Sequence, residues 1–230
     1  MAPWMLLAVM GTFTPTDAYQ SQEIGGFTVL IAPEAREHPE ELATALDELS
    51  QQIDSIHKVL PVETLKKLQP TRIWLEWEAR PRGAAEFHVS EGYLAKNGYN
   101  PEKKYAVEIC NLRNFTKWSR QDQPWMVLHE LAHAYHHTVL GVDHERITKL
   151  YQSACDSQTY DVVERAGAKP QKHYALTTRD EYFAELSEAY FGKNDFYPFV
   201  RAELQLHDPA GYAMIEELWG LPSTPAPAKK

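Results

Sequence analysis

The chain has 230 residues, 43% of them hydrophobic, and a formal net charge of −9. That length suits one substantial domain with its own core. The acidic balance argues against nucleic acid or an anionic membrane surface as partner, since both require a basic face. No apolar run is long enough to insert into a bilayer.

Residues 1–20 resemble a weak signal peptide: an apolar run from Trp4 to Met10, then small and polar residues through Ala18, without the usual positive start. Such a leader implies a secreted or extracytoplasmic protein; the alternative, an ordinary strand or tail there, leaves a cytoplasmic one open. The stretch 27–33 is predicted as the first strand, and 37–61 as a helix carrying Leu42, Leu46, Leu49, Ile53 and Ile56 at helical spacing, ended by Pro61. In 71–79, Ile73, Leu75 and Trp77 alternate with polar positions and predict a half-buried strand. Turn signals at Asn97-Gly98 and Asn100-Pro101 make the following stretch a loop, and 105–115 is a third strand.

A histidine-rich helix comes next, with Asp122 as N-cap, Pro124 in its first turn and Gly141 at its end. Helices are then predicted over about 143–166, 178–192, 195–206 and 209–218, and the Pro-rich, basic tail 222–230 is expected to be disordered. Residues 21–221 thus form a single domain, an α+β fold of two lobes with the histidine helix at their junction. Cys110 and Cys155 fit one disulfide in an exported protein and fit two buried free thiols as well.

The chemistry concentrates in "HELAHAYHH", residues 129–137. Residues four apart share a helix face, so His129 and His133 aim their rings at one point. Glu130 sits to one side, able to reach a water without ligating. This is the H-E-x-x-H arrangement of zinc peptidases. The rival is a core helix whose histidines find ordinary hydrogen bonds. His136, seven residues from His129, either lines the cleft or meets a carboxylate behind the ligands.

A catalytic zinc takes three protein ligands and keeps one position open. A third histidine at the metzincin spacing is absent, since those positions hold His136 and Val139. The downstream acids Asp143, Glu145, Asp156, Asp161, Glu164, Glu181, Glu185 and Glu188 remain. Of these, Glu181, Glu185 and Glu188 share one face of the 178–192 helix and repel one another unless a cation or histidines lie opposite. Glu181 is the expected ligand, and Glu185, one turn on, the acceptor for a ligand histidine's other N–H. Thr178 and Glu181 also form a T-x-x-E capping box, which gives Glu181 a purely structural alternative.

"HELAH" followed by "HYALTTRDEYFAE" resembles the lethal-factor-like zinc metallopeptidases, gluzincins that include the anthrax toxin protease domain and the Pro-Pro endopeptidases. Their second motif is a tyrosine, then seven residues on a glutamate in an E-F-F-A-E stretch; here Tyr174, Glu181 and "EYFAE" stand in that relation, with Tyr182 replacing a phenylalanine. The resemblance covers roughly residues 105–192. It implies a zincin-like fold, one zinc held by His129, His133 and Glu181, Glu130 as general base and Tyr174 as a transition-state donor.

The expected activity is hydrolysis of peptide bonds in a peptide or protein substrate, with the strand near 105–109 as an open edge for an extended peptide. A zinc hydrolase of non-peptide amides keeps every role and changes the cleft. An inactive binding module with a structural zinc needs a fourth protein ligand, from His136 or a cysteine. Oligomeric state and cleavage preference stay open.

Overall fold

The computed structural model describes residues 13–222. It is an α+β protein: among the described residues, one mixed five-stranded sheet and ten α-helices. The readings placed on residues 1–12 and 223–230 lie outside the described residues. Tyr19, shortly after the first of these stretches, is built into the fold. The Tyr19 ring meets Trp74 edge-on at 4.7 Å and its hydroxyl donates to Glu76 Oε1 at 2.6 Å. No helix among the described residues is long and apolar enough to cross a membrane.

Strands β1 (Gln20–Ile24) and β2 (Phe27–Ile31) form an antiparallel hairpin through Gly25 and Gly26. Both glycines have positive φ, +54° and +83°, which a two-residue hairpin turn requires and side chains resist. β1 was not anticipated, because it is mostly exposed and lacks an apolar rhythm; the Gly-Gly pair is the signal that betrays it. Short helix α1 (Pro33–Arg36), long helix α2 (Pro39–Val59) and α3 (Val62–Leu68) then cross to β3 (Ile73–Leu75), which runs parallel to β2. α2 buries Leu49, Ile53 and Ile56, as its spacing predicts, together with Ala45, while Leu42 and Leu46 are only half-buried. All three residues of β3 are buried, so this strand is central rather than half-exposed.

Three expectations fail between residues 83 and 121. The supposed loop contains β4 (Glu86–Phe87), then α4 (Glu91–Lys96). The third strand shrinks to β5 (Val107–Ile109), because the Asn111 side chain accepts from Asn114 N at 3.0 Å and starts helix α5 (Leu112–Gln121). The sheet order β1-β2-β3-β5-β4 also makes β5 an interior strand, not an open edge. The segment around β4 folds back to cover it: Cys110 N donates to Ala84 O at 3.0 Å, and His88 N donates to Ala106 O at 3.1 Å. The edge on this side of the sheet belongs to β4, and β1 forms the other edge.

The histidine helix α6 (Met126–Tyr135) starts later than expected, since Asp122 closes α5 instead of opening α6. It continues as a π-helical turn, His136–Leu140, and stops at Gly141, whose φ of +91° suits a glycine C-terminus. α6 packs against β4 and β5 on one side and most extensively against α8 (Arg179–Phe191) on the other. Helices α7 (Glu145–Ser157), α9 (Arg201–His207) and α10 (Pro209–Leu218) surround α8. α7 ends at Gln158 in the left-handed region, well short of 166, and residues 158–173 form an irregular segment tied down by the bridges Val163↔Gln171 and Arg165↔Phe196. Trp219 closes the core, its ring stacked on Tyr135 at 4.6 Å.

A buried polar network lies behind the sheet edge. Lys103 Nζ meets Glu76 Oε1 at 2.6 Å and Glu108 Oε1 at 2.5 Å; Glu108 also contacts His88, and Glu86 meets Arg80 Nε at 2.7 Å. Glu86, His88 and Glu108 come close enough to hold a cation, but Lys103 and Arg80 already supply the countercharge.

Candidate metal centre

α6 and α8 face each other with their polar residues inward. On α6 the His129 and His133 rings sit 4.8 Å apart, nearly perpendicular. On α8 Glu181 Oε2 lies 3.0 Å from His129 Nε2 and 3.4 Å from His133 Nε2. One donor atom from each residue lies within 4.8 Å of the other two. Tetrahedral zinc with bonds of about 2.0–2.2 Å sets its ligands about 3.3 Å apart, so the closest spacings already suit the ion. Two imidazole nitrogens and one carboxylate oxygen are also a donor set that zinc takes in catalytic sites. The residues fit.

The capping alternative for Glu181 is half realised. Its backbone N–H donates to Thr178 Oγ1 at 3.1 Å, as a cap requires, while its carboxylate turns to the histidines instead of reaching back. Burial would raise the Glu181 pKa, yet the contacts with His129 and His133 overcome it and hold the carboxyl well below the ordinary range. Burial likewise disfavours charged His129, and Glu181 and Glu188 reverse this, lifting it well above the usual imidazole value. The pocket therefore stabilises positive charge where the ligands converge.

One expectation is corrected here. The carboxylate that holds His129 Nδ1 is Glu188, at 2.7 Å, while Glu185 Oε1 stands off at 3.7 Å. Glu185 accepts from Asn194 Nδ2 at 3.0 Å, and burial, then Glu188, keeps its pKa far above the carboxylate norm. The helical stripe identified both glutamates but not their division of labour, which depends on where α6 crosses α8.

Glu130 lies beside the triad on the cleft wall, 8% exposed. Burial raises its pKa, opposed by the two histidines. Tyr174 opens a 3-10 turn, Tyr174–Leu176, whose start is capped by His173 Nδ1 accepting from Ala175 N at 3.0 Å. Its ring also lines the cleft, and burial, then the Glu181 carboxylate, pushes its pKa up to about 12, so the hydroxyl keeps its proton.

His136 does not line the cleft. It is fully buried, with Nδ1 3.1 Å from Asp180 Oδ1 and its ring against Phe183. His137 Nε2 reaches the other oxygen of Asp180, also at 3.1 Å. The π-helical turn brings these consecutive histidines to one carboxylate and so ties the end of α6 to the start of α8, next to Glu181. Against burial, the pair holds the Asp180 carboxyl well below its usual range.

The cleft itself, about 500 Å³, is also lined by residues 83–87 at the sheet edge and by Arg165, Asp195 and Phe196. None of these was anticipated, and no sequence signal marks the second group, because it comes from irregular segments. Cys110 and Cys155 are both free thiols. Among the described residues, the triad gains no fourth histidine or cysteine, which leaves the position toward the cleft open. Comparison of the chain with protein-family models, with curated proteins and with solved structures finds no match.

Proposed function

We propose that the protein is a zinc-dependent metalloendopeptidase with a zincin-like, two-lobed arrangement. One lobe carries the sheet, the other carries α7 to α10, and α6 lies between them. The single observation behind this reading is the convergence of His129 Nε2, His133 Nε2 and Glu181 Oε2 beside Glu130 in an open cleft. The sequence resemblance to lethal-factor-like peptidases gives the same residues the same roles.

When bound, zinc supplies Lewis acidity: it polarises a carbonyl and lets water lose a proton near pH 7. Glu130 accepts that proton and later delivers it to the leaving amine; its raised pKa suits both directions of transfer. Tyr174, protonated and partly exposed in the cleft, donates to the carbonyl oxygen as negative charge grows on it. Glu188 fixes the His129 ring by accepting from Nδ1, which keeps Nε2 turned toward the ion. The β4 edge favours a peptide over other amides. It borders the cleft with no strand beyond it among the described residues, so an extended peptide can add there as a further strand.

The test is cleavage of a mixed peptide library by the zinc-loaded protein, with and without chelator, beside the Glu130→Gln variant. Chelation should abolish cleavage and added zinc restore it. Glu130→Gln should keep zinc and fold while losing several orders of magnitude in turnover, because a base is lost and a ligand is not. Cleavage that survives both treatments, or no cleavage at all, overturns the proposal.

A further inference from the structure

The cleft wall holds one feature that the hydrolytic roles above do not use. Arg165 is the only lysine or arginine among the described residues lining the cleft. Its Nε donates to Asp195 Oδ2 at 3.3 Å, and its guanidinium carbon lies 4.7 Å over the Phe196 ring. The backbone is pinned as well: Ala166 N donates to Asp195 O at 2.8 Å, and Arg165 pairs with Phe196 in an antiparallel bridge. The side chain is thus held at its stem, its face and one edge, yet remains 40% exposed. Its Nη atoms have no protein partner among the described residues.

The acids around it are otherwise engaged. Glu86 meets Arg80, Glu188 holds His129, and Glu185 accepts from Asn194. Burial and the neighbouring Glu188 carry Asp195 up to about pKa 6, so ionised Asp195 depends on the guanidinium beside it. A guanidinium has two edges that match a carboxylate, and Asp195 takes one. The other edge has no partner among the described residues, and the cleft that Arg165 lines carries no other lysine or arginine among them.

Resting on the peptidase reading for the nature of the ligand, we propose that Arg165 is a specificity-determining residue that binds a substrate carboxylate through its Nη edge. The carboxylate comes either from an acidic side chain of the substrate or from its C-terminus. Phe196 and Asp195 hold the guanidinium ready, so little freedom is lost when the substrate arrives.

Three pools of randomised hexapeptides separate the possibilities: neutral with both ends blocked, the same with one glutamate, and the same neutral pool with a free C-terminus. Zinc-loaded Glu130→Gln protein captures them without cleavage, and mass spectrometry reads enrichment. One acidic pool should be enriched about tenfold or more over the neutral pool, as expected for a charge-assisted pair, and its identity names the source. Adding Arg165→Ala should reduce the enrichment to about onefold, while Arg165→Lys keeps a part of it. Should the alanine variant fail to fold, Arg165→Gln preserves the stem over Phe196 and removes only the charge. Equal capture of all three pools, or enrichment that survives loss of the charge, overturns the inference. Cleavage of the neutral pool by the unaltered protein reports separately on the peptidase reading. Enrichment without cleavage keeps the carboxylate site and removes the peptidase; cleavage without enrichment does the opposite.

Discussion

Replacing Glu188 by alanine isolates the contact that orients His129, a proposed metal ligand. Glu188 Oε1 accepts from His129 Nδ1 at 2.7 Å, so its loss frees the ring to rotate and lowers the basicity of Nε2. Removing such a partner typically weakens metal binding by about 10–100-fold, or roughly 1.4–2.7 kcal/mol. The fold should not suffer in parallel. Glu188 adds to the burden on Glu185 and Asp195, whose pKa values it helps raise, so its removal relieves two buried carboxyls. His129 loses a buried partner at the same time, so the two effects oppose, and the metal-free variant should melt within a few degrees of wild type while binding zinc more weakly. Glu185→Ala is the control, since 3.7 Å is outside hydrogen-bond reach of Nδ1, and its zinc affinity should stay within about threefold of wild type. Competition against a chromophoric chelator measures both affinities, and thermal melts of chelated protein measure the fold. Wild-type affinity in Glu188→Ala, or a larger loss in Glu185→Ala, refutes the assignment.

Tyr174→Phe should keep zinc and substrate binding and lower kcat by roughly 10²–10³, as for other oxyanion donors; a kcat within about threefold of wild type makes the tyrosine a packing residue. Lys103→Met should destabilise the protein by about 3–5 kcal/mol in chemical denaturation, because it strips Glu76 and Glu108 of their shared countercharge. Adding Glu108→Gln should recover part of that loss, and a single-variant cost below about 1 kcal/mol contradicts the network. Asp195 carries the pH prediction. Its folded pKa of about 6 lies above the ordinary 3.8, so the folded state binds the proton more tightly and ionisation works against folding. Relative to Asp195→Asn, the wild type should lose roughly 1–3 kcal/mol of stability as pH rises from about 4 to about 7, and no further above that. A stability difference independent of pH across that range rules this out.

Local patterns in the chain determined the pieces that depend on local geometry. His129 and His133 share a face because a helix repeats every 3.6 residues, whatever packs around it. Thr178 caps α8 through a three-residue reach, and Gly141 ends the histidine segment by tolerating positive φ. The apolar spacing of α2 likewise announced its buried face.

Tertiary structure decided whatever joins segments distant in sequence. That Glu188 rather than Glu185 holds His129 follows from the angle and height at which α8 crosses α6, and no spacing within either helix encodes that crossing. β5 became interior because residues 83–88, which have no apolar alternation of their own, fold back onto it. His136 turned away from the cleft because a π-helical turn changes its direction and Asp180 receives it. Arg165 reached the cleft only through backbone pairing between two irregular segments thirty residues apart. Propensity and periodicity act over a few residues, whereas these contacts are selected by burial and charge compensation across the whole core, after the local elements have formed.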